Sequence, residues 1–163
     1  MYIPKEKADK IFETGLLARE LCTAVSQGDI AAATALLDQG ASPDAYVWWE
    51  SYDPYPCGEA QAVAGGSEYP LRLALERGDS ALARLLLERG AHLRDASIDG
   101  SLAVGTGDPD LVRLAFEQGD IENRVSTVTL VEWTMDAARR RGDHAMQNWL
   151  AAYAASVVEP GQR

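Results

Sequence analysis

Few residues in this sequence are placed to do covalent chemistry. Cys22 lies in an alanine-bearing apolar run and Cys57 in a stretch rich in proline and glycine, while His92 follows Gly90-Ala91 and His144 follows Gly142-Asp143. A structural metal site needs such ligands at short, fixed intervals, and none of the four shares one with another. A Cys57–His92 nucleophile pair has no sequence signal behind it. A phosphate loop needs a lysine and a Ser/Thr helix start, which Gly65-Gly66-Ser67-Glu68 lacks. A calcium loop needs oxygen ligands at regular offsets over about 12 residues, and Asp99, Thr106, Asp108 and Asp110 do not keep them. Asp99-Gly100-Ser101 and Gly105-Thr106-Gly107-Asp108 read as turns. With 25 acids in the chain, neighbouring carboxylates are common and mark no acid–base couple by themselves. An enzyme would need a cleft holding Asp44, Glu50 or Asp53. The expectation is therefore no catalytic residues, no metal and no cofactor.

Binding chemistry is better represented. Five of the 12 aromatic residues fall within ten positions, Tyr46, Trp48, Trp49, Tyr52 and Tyr55, and they alternate with Asp44, Glu50 and Asp53. Trp and Tyr offer large contact area with few torsions to freeze, which makes them anchors in protein interfaces. The same residues could instead fold back and close a gap in the core. Pro43, Pro54, Pro56, Gly58 and Gly65-Gly66 exclude a long helix, so the insertion at 42–68 is expected to be irregular. Its aromatic and β-branched stretch Tyr46-Val47-Trp48-Trp49 suits one arm of a hairpin. Residues 60–64, AQAVA, suit the start of a helix or a packed strap.

Charge points to the kind of partner. From Glu20 to Leu71 there is no lysine or arginine, but there are eight acids: Glu20, Asp29, Asp38, Asp44, Glu50, Asp53, Glu59 and Glu68. That single-sign field favours encounter with a basic protein surface. The formal net charge of −10 opposes binding to nucleic acid, which requires a basic face. Arg139-Arg140-Arg141 is read as the positive last turn of a helix, where it suits the helix dipole. No stretch approaches 18 uncharged apolar residues, so no membrane association is expected. The start of the chain lacks a leader pattern, and with only two cysteines, read as reduced thiols, the expected compartment is the cytoplasm.

These residues must be positioned by helices, because one phrase recurs along the chain. Residues 28–41 read GDIAAATALLDQGA, 78–91 read GDSALARLLLERGA, and 107–120 read GDPDLVRLAFEQGD. Each has two glycines 12 residues apart, and a fourth start stands at Gly142-Asp143. The first glycines are spaced by 50, 29 and 35 residues. The pattern predicts a helix, a Gly-Asp turn whose aspartate caps a second helix, and a terminating glycine. Leu36 and Leu37, then Leu82, Leu85 and Leu86, then Leu111, Leu114 and Ala115 form the expected buried stripes. Ala24, Ala74, Ala103 and Ala138 let neighbouring units approach. Residues 5–15 suit a short extra helix, and Met146, Trp149, Leu150, Tyr153 and Val157 suit a closing stripe against Trp133 and Met135.

The Gly-x-x-x-x-x-x-x-Leu-Leu-x-x-Gly-Ala phrase, with Tyr69-Pro70-Leu71-Arg72-Leu73-Ala74 ahead of its second copy, resembles the ankyrin repeat family. Arg72 stands where that family's phrase has histidine. The resemblance implies an all-α, short helix-turn-helix solenoid in one domain spanning 1–163, with an N-terminal cap about 5–15, repeats about 16–41, 69–91, 98–120 and 127–157, and the insertion at 42–68. It further implies a non-catalytic protein-binding module that uses its inner-helix face and the long finger between repeats. On this reading Asp44, Tyr46, Trp48, Trp49, Glu50, Tyr52, Asp53 and Tyr55 contact the partner, and the chain is a monomer or weak dimer. Its size suits an inhibitor, an immunity-type protein that neutralises a basic toxin, or an adaptor. The alternative is a structural subunit that self-associates through the same aromatic insertion.

Overall fold

A computed structural model describes residues 5–45, 47–54, 60–119 and 126–157, with the backbone alone for 5–14, 48–54, 60–68, 96 and 127. The described residues form eight helices and one two-stranded sheet. The helices pair as α1 (Lys5–Gln27) with α2 (Ile30–Asp38), α3 (Pro70–Glu76) with α4 (Ser80–Glu88), α5 (Ala96–Gly105) with α6 (Pro109–Gln118), and α7 (Thr127–Arg141) with α8 (His144–Val157). Helices α1, α3, α5 and α7 pack side by side as one layer, and α2, α4 and α6 neighbour one another in a second. This is a stack of paired helix-turn-helix units, as the recurrent phrase predicts.

The Gly-Asp turns share one geometry. Gly28, Gly78, Gly107 and Gly142 have φ of 77°, 68°, 72° and 69°, a region that favours glycine. The following aspartate then caps the next helix: Asp29 accepts from the Ala32 amide at 2.9 Å, Asp79 from Leu82 at 3.0 Å, Asp108 from Leu111 at 3.1 Å and Asp143 from Met146 at 2.9 Å. Each cap satisfies an amide that the first helical turn leaves without a partner. Pro70 and Pro109 sit in the first turns of α3 and α6, where no amide hydrogen is needed.

The core runs along the seam between the layers. Leu21, Leu71, Leu82, Leu86, Leu93, Leu111, Leu130 and Leu150 are fully or almost fully buried. The buried stripes read off the sequence hold at Leu37, Leu82, Leu86, Leu111 and Ala115 and differ at their edges. Leu36, Leu85 and Leu114 are only partly buried, whereas Ala33, Leu87, Val112 and Phe116 are buried. An outer helix here is flanked by its own inner helix and by neighbouring outer helices, so its buried arc is wider than a single three- and four-residue stripe.

Four further expectations change. Residues 5–15 are not a separate helix, because α1 continues unbroken through Gly15. Asp99-Gly100-Ser101 is not a turn but lies inside α5, which Asp95 caps by accepting from the Ser97 and Ile98 amides. Trp133 and Val157 are not core: they are 41 % and 39 % exposed, and Tyr153 packs instead on Trp149 and Phe116. Finally, the insertion is not irregular. It is an antiparallel hairpin of β1 (Val47–Pro54) and β2 (Ala60–Glu68), so residues 60–64 are strand rather than helix or strap. Its register pairs Val47 with Glu68 and Pro54 with Ala60, with an irregularity between Ser51 and Tyr52. Among the described residues no helix is long and apolar enough to cross a membrane.

Candidate functional site

The hairpin is the one part of the described chain that departs from the helical repeat, and its two roots are built from residues of unit two and unit three. The first root is Asp44. Its Oδ1 accepts from the His92 backbone amide at 2.8 Å, and its Oδ2 stands 2.7 Å from His92 Nδ1. A carboxylate only accepts, so Nδ1 carries the proton in this pair. The Asp44 carbonyl oxygen accepts from Arg94 Nη2 at 2.6 Å. Asp44 is thus tied to the segment that follows α4.

The second root is Tyr69, which directly follows β2 and is 5 % exposed. Its hydroxyl donates to Asp99 Oδ2. The guanidinium carbons of Arg72 and Arg94 lie 5.1 and 5.4 Å from the centre of its ring, within cation–π range. Asp99 has no exposed surface, yet its carboxylate is well supplied with donors. Arg72 Nε and Nη2 donate to Oδ1 at 3.0 and 2.8 Å, and the Arg94 and Asp95 amides donate to Oδ2 at 2.9 and 3.0 Å. A buried charge is tolerated only with such pairing.

The titration of these groups follows from their surroundings. Burial, then the hydrogen bond to Asp99 and its negative charge, push the Tyr69 phenol well above its ordinary value, against the pull of Arg72. Burial lowers the Arg72 guanidinium, but Asp99 outweighs it and the net shift is upward. At the turn of unit three, burial raises Asp108, and the Leu111 amide and Arg84 together outweigh it, holding the carboxyl below the usual range. Arg84 Nη2 reaches Asp108 Oδ2 at 2.6 Å, another link between neighbouring units.

Of the residues expected to contact a partner, Trp48, Trp49, Glu50, Tyr52 and Asp53 lie on β1, opposite Ser67, Gly66, Gly65, Ala62 and Gln61. Tyr46 and Tyr55 lie outside the described residues, as does Cys57. Asp44 stands apart from the others, because His92 engages both of its carboxylate oxygens. The acidic field is also answered in part by unit two, where Arg89 Nη1 pairs with Asp38 at 2.7 Å. Sequence reasoning placed His92 and Arg94 in no role. The only local signal was His92's position just past a unit's last glycine, the same relative place in unit two that leads to Asp44 in unit one.

Between α1 and α2 a cleft of about 410 Å³ is floored by Ala24, Ala32, Ala35 and Leu36. Glu20 is the one ionisable group among its lining residues, with Thr23 and Gln27 beside it. Among the described residues no three or more His, Cys, Asp or Glu side chains gather as a metal site. No family model matches the chain, and neither does any curated protein.

Proposed function

We propose that this chain is a divergent ankyrin-type repeat protein that works as a non-catalytic protein-binding module. It takes a basic protein partner on the hairpin between units one and two and on the adjoining inner-helix face, in the manner of an inhibitor or immunity-type protein. The observation that carries this reading is the anchoring of both hairpin roots, Asp44 on His92 and Arg94, and Tyr69 on Asp99. A finger fixed at its base loses less conformational freedom on binding, so more of its contact energy appears as affinity. The aromatic and acidic residues of β1 supply the contact chemistry, and the base-free stretch from Glu20 to Leu71 supplies the attraction.

The test is capture from a lysate of the source cell at low salt and at about 0.5 M salt, where surface electrostatics are screened. Wild type is compared with a Trp48→Ala/Trp49→Ala variant. The expected result is one basic protein, retained by wild type, weakened by salt and lost with the variant. Retention by the variant sinks the reading. A doubled mass in dilute solution that the variant abolishes would favour the self-associating subunit instead.

A further inference from the structure

A second surface, on α5 and α7, has the opposite chemistry. The two helices run side by side and leave a cleft of about 340 Å³, lined on its apolar side by Ile98, Leu102 and Ala137 and on its polar side by Ser101, Arg140 and Arg141. Ile98 is 47 % exposed, so its apolar side chain is open to a ligand in the cleft. Trp133 lies one turn before Ala137 on the same side of α7 and is also exposed. The two arginines are held in place. Arg140 pairs with Asp136 one turn back. Arg141 lies against Gly105, where a β-carbon would stand 2.5 to 2.8 Å from its guanidinium atoms, and its Nη1 is 3.4 Å from the Gly105 carbonyl oxygen. Among the described residues no carboxylate pairs with Arg139 or Arg141.

We infer that this cleft binds an acidic segment of a protein partner, a short stretch with one apolar side chain flanked by carboxylates. The apolar side chain covers Ile98, Leu102 and Ala137. The carboxylates meet Arg141 and Arg140, whose forked donors match carboxylate geometry. Clusters of arginine beside an apolar groove are a recurrent way of reading acidic motifs. The inference does not rest on the hairpin or on a basic partner. It gives the chain two surfaces of opposite sign at opposite ends of the stack, the first on unit one and the second on units three and four.

The test is fluorescence anisotropy on the full chain with a labelled ten-residue peptide of glutamate and aspartate carrying one leucine near its middle. A peptide with lysine at every acidic position is the control. The expected result is saturable binding of the acidic peptide below about 1 mM, a loss of tenfold or more in Arg140→Ala/Arg141→Ala, and a similar loss in Ile98→Asp. Gly105→Ala, which displaces Arg141 alone, is expected to weaken binding several-fold, and Trp48→Ala/Trp49→Ala to leave it unchanged. Circular dichroism shows which variants are folded, and if the double arginine variant is not, Ile98→Asp and Gly105→Ala decide. No saturation, equal binding of the lysine peptide, or full affinity in the folded variants overturns the inference. So does a dimer that the acidic peptide fails to dissociate, because a second copy then covers the cleft.

Discussion

Asp44 and Tyr69 stand on either side of the hairpin and are held by the same arginine: Arg94 donates to the Asp44 carbonyl oxygen at 2.6 Å and lies 5.4 Å from the centre of the Tyr69 ring. The chain leaves the helical stack at one of these residues and re-enters at the other. Arg94 belongs to neither strand, so the link between α4 and α5 holds both ends of an insertion that precedes it in sequence.

Asp44→Ala removes the acceptor of the His92 amide and ring. The expected cost is about 1–3 kcal/mol, the range for leaving a part-buried donor without its partner. Hydrogen exchange is expected to quicken at amides of β1 and β2 while α5 to α8 keep their protection. Uniform loss of protection across all units would show that Asp44 supports the whole stack rather than the root of the hairpin.

Tyr69 gives an alkaline signature. Its phenol titrates above the ordinary value of 10.0 in the folded chain, so the unfolded chain loses that proton first. Stability from this group is fully present below pH 10 and falls as pH rises beyond it toward the folded value. Tyr69→Phe is expected to be less stable at neutral pH by about 1–3 kcal/mol, because Asp99 loses a donor. Above pH 10 its stability is expected to fall less steeply than that of wild type. Denaturant melts at pH 7 and pH 11 check both, and parallel alkaline limbs would contradict the assignment.

Asp108 gives the acid counterpart. Its carboxyl is held below the ordinary range, so its contribution is present above the unfolded value and is lost as pH falls through the folded one. Asp108→Asn keeps an N-cap oxygen while removing the charge that Arg84 faces. The variant is expected to lose less stability than wild type between about pH 4 and pH 2. The same acid slope in both proteins would assign the effect to other carboxylates.

Gly100 and Thr134 set the spacing of α5 and α7. A β-carbon at Gly100 would stand 2.8 Å from Thr134 Cγ2, and Thr134 is fully buried with its hydroxyl on the Leu130 and Val131 carbonyls. Gly100→Ala is expected to cost about 1–3 kcal/mol through overpacking. Thr134→Ser removes the methyl group and keeps the hydroxyl, so the double variant is expected to recover most of that loss. A double-mutant cycle with no coupling would show that the helices simply move apart.

The helical part was legible because its signals are local. Gly28-Asp29, Gly78-Asp79, Gly107-Asp108 and Gly142-Asp143 each combine a backbone only glycine takes easily with a side chain that caps the next helix, and the structure uses all four alike. What escaped was set by partners distant in sequence. Asp-Gly-Ser at 99–101 has turn composition, and the distant Tyr69 and Arg72, with the Arg94 and Asp95 amides, make a buried aspartate acceptable inside α5. The β2 strand is poor in residues that favour strands, and its pairing with β1 decides its shape. Trp133 reads as core from its type, but periodicity within α7 cannot say whether a neighbour arrives to cover it. The pairing of Asp44 with His92 spans 48 positions and had no local mark.

The hairpin register has a consequence for how such a chain can change over time. Val47 lies opposite Glu68, so the whole excursion opens and closes at one cross-strand pair. Taking the 22 residues 47–68 out of the spacing of 50 between Gly28 and Gly78 leaves 28, beside the 29 that separates Gly78 from Gly107. The ordinary repeat is therefore intact beneath the finger. A finger of another length or composition could be exchanged at that point while Asp44 and Tyr69 stay where they are, so recognition can drift without the scaffold having to refold around it.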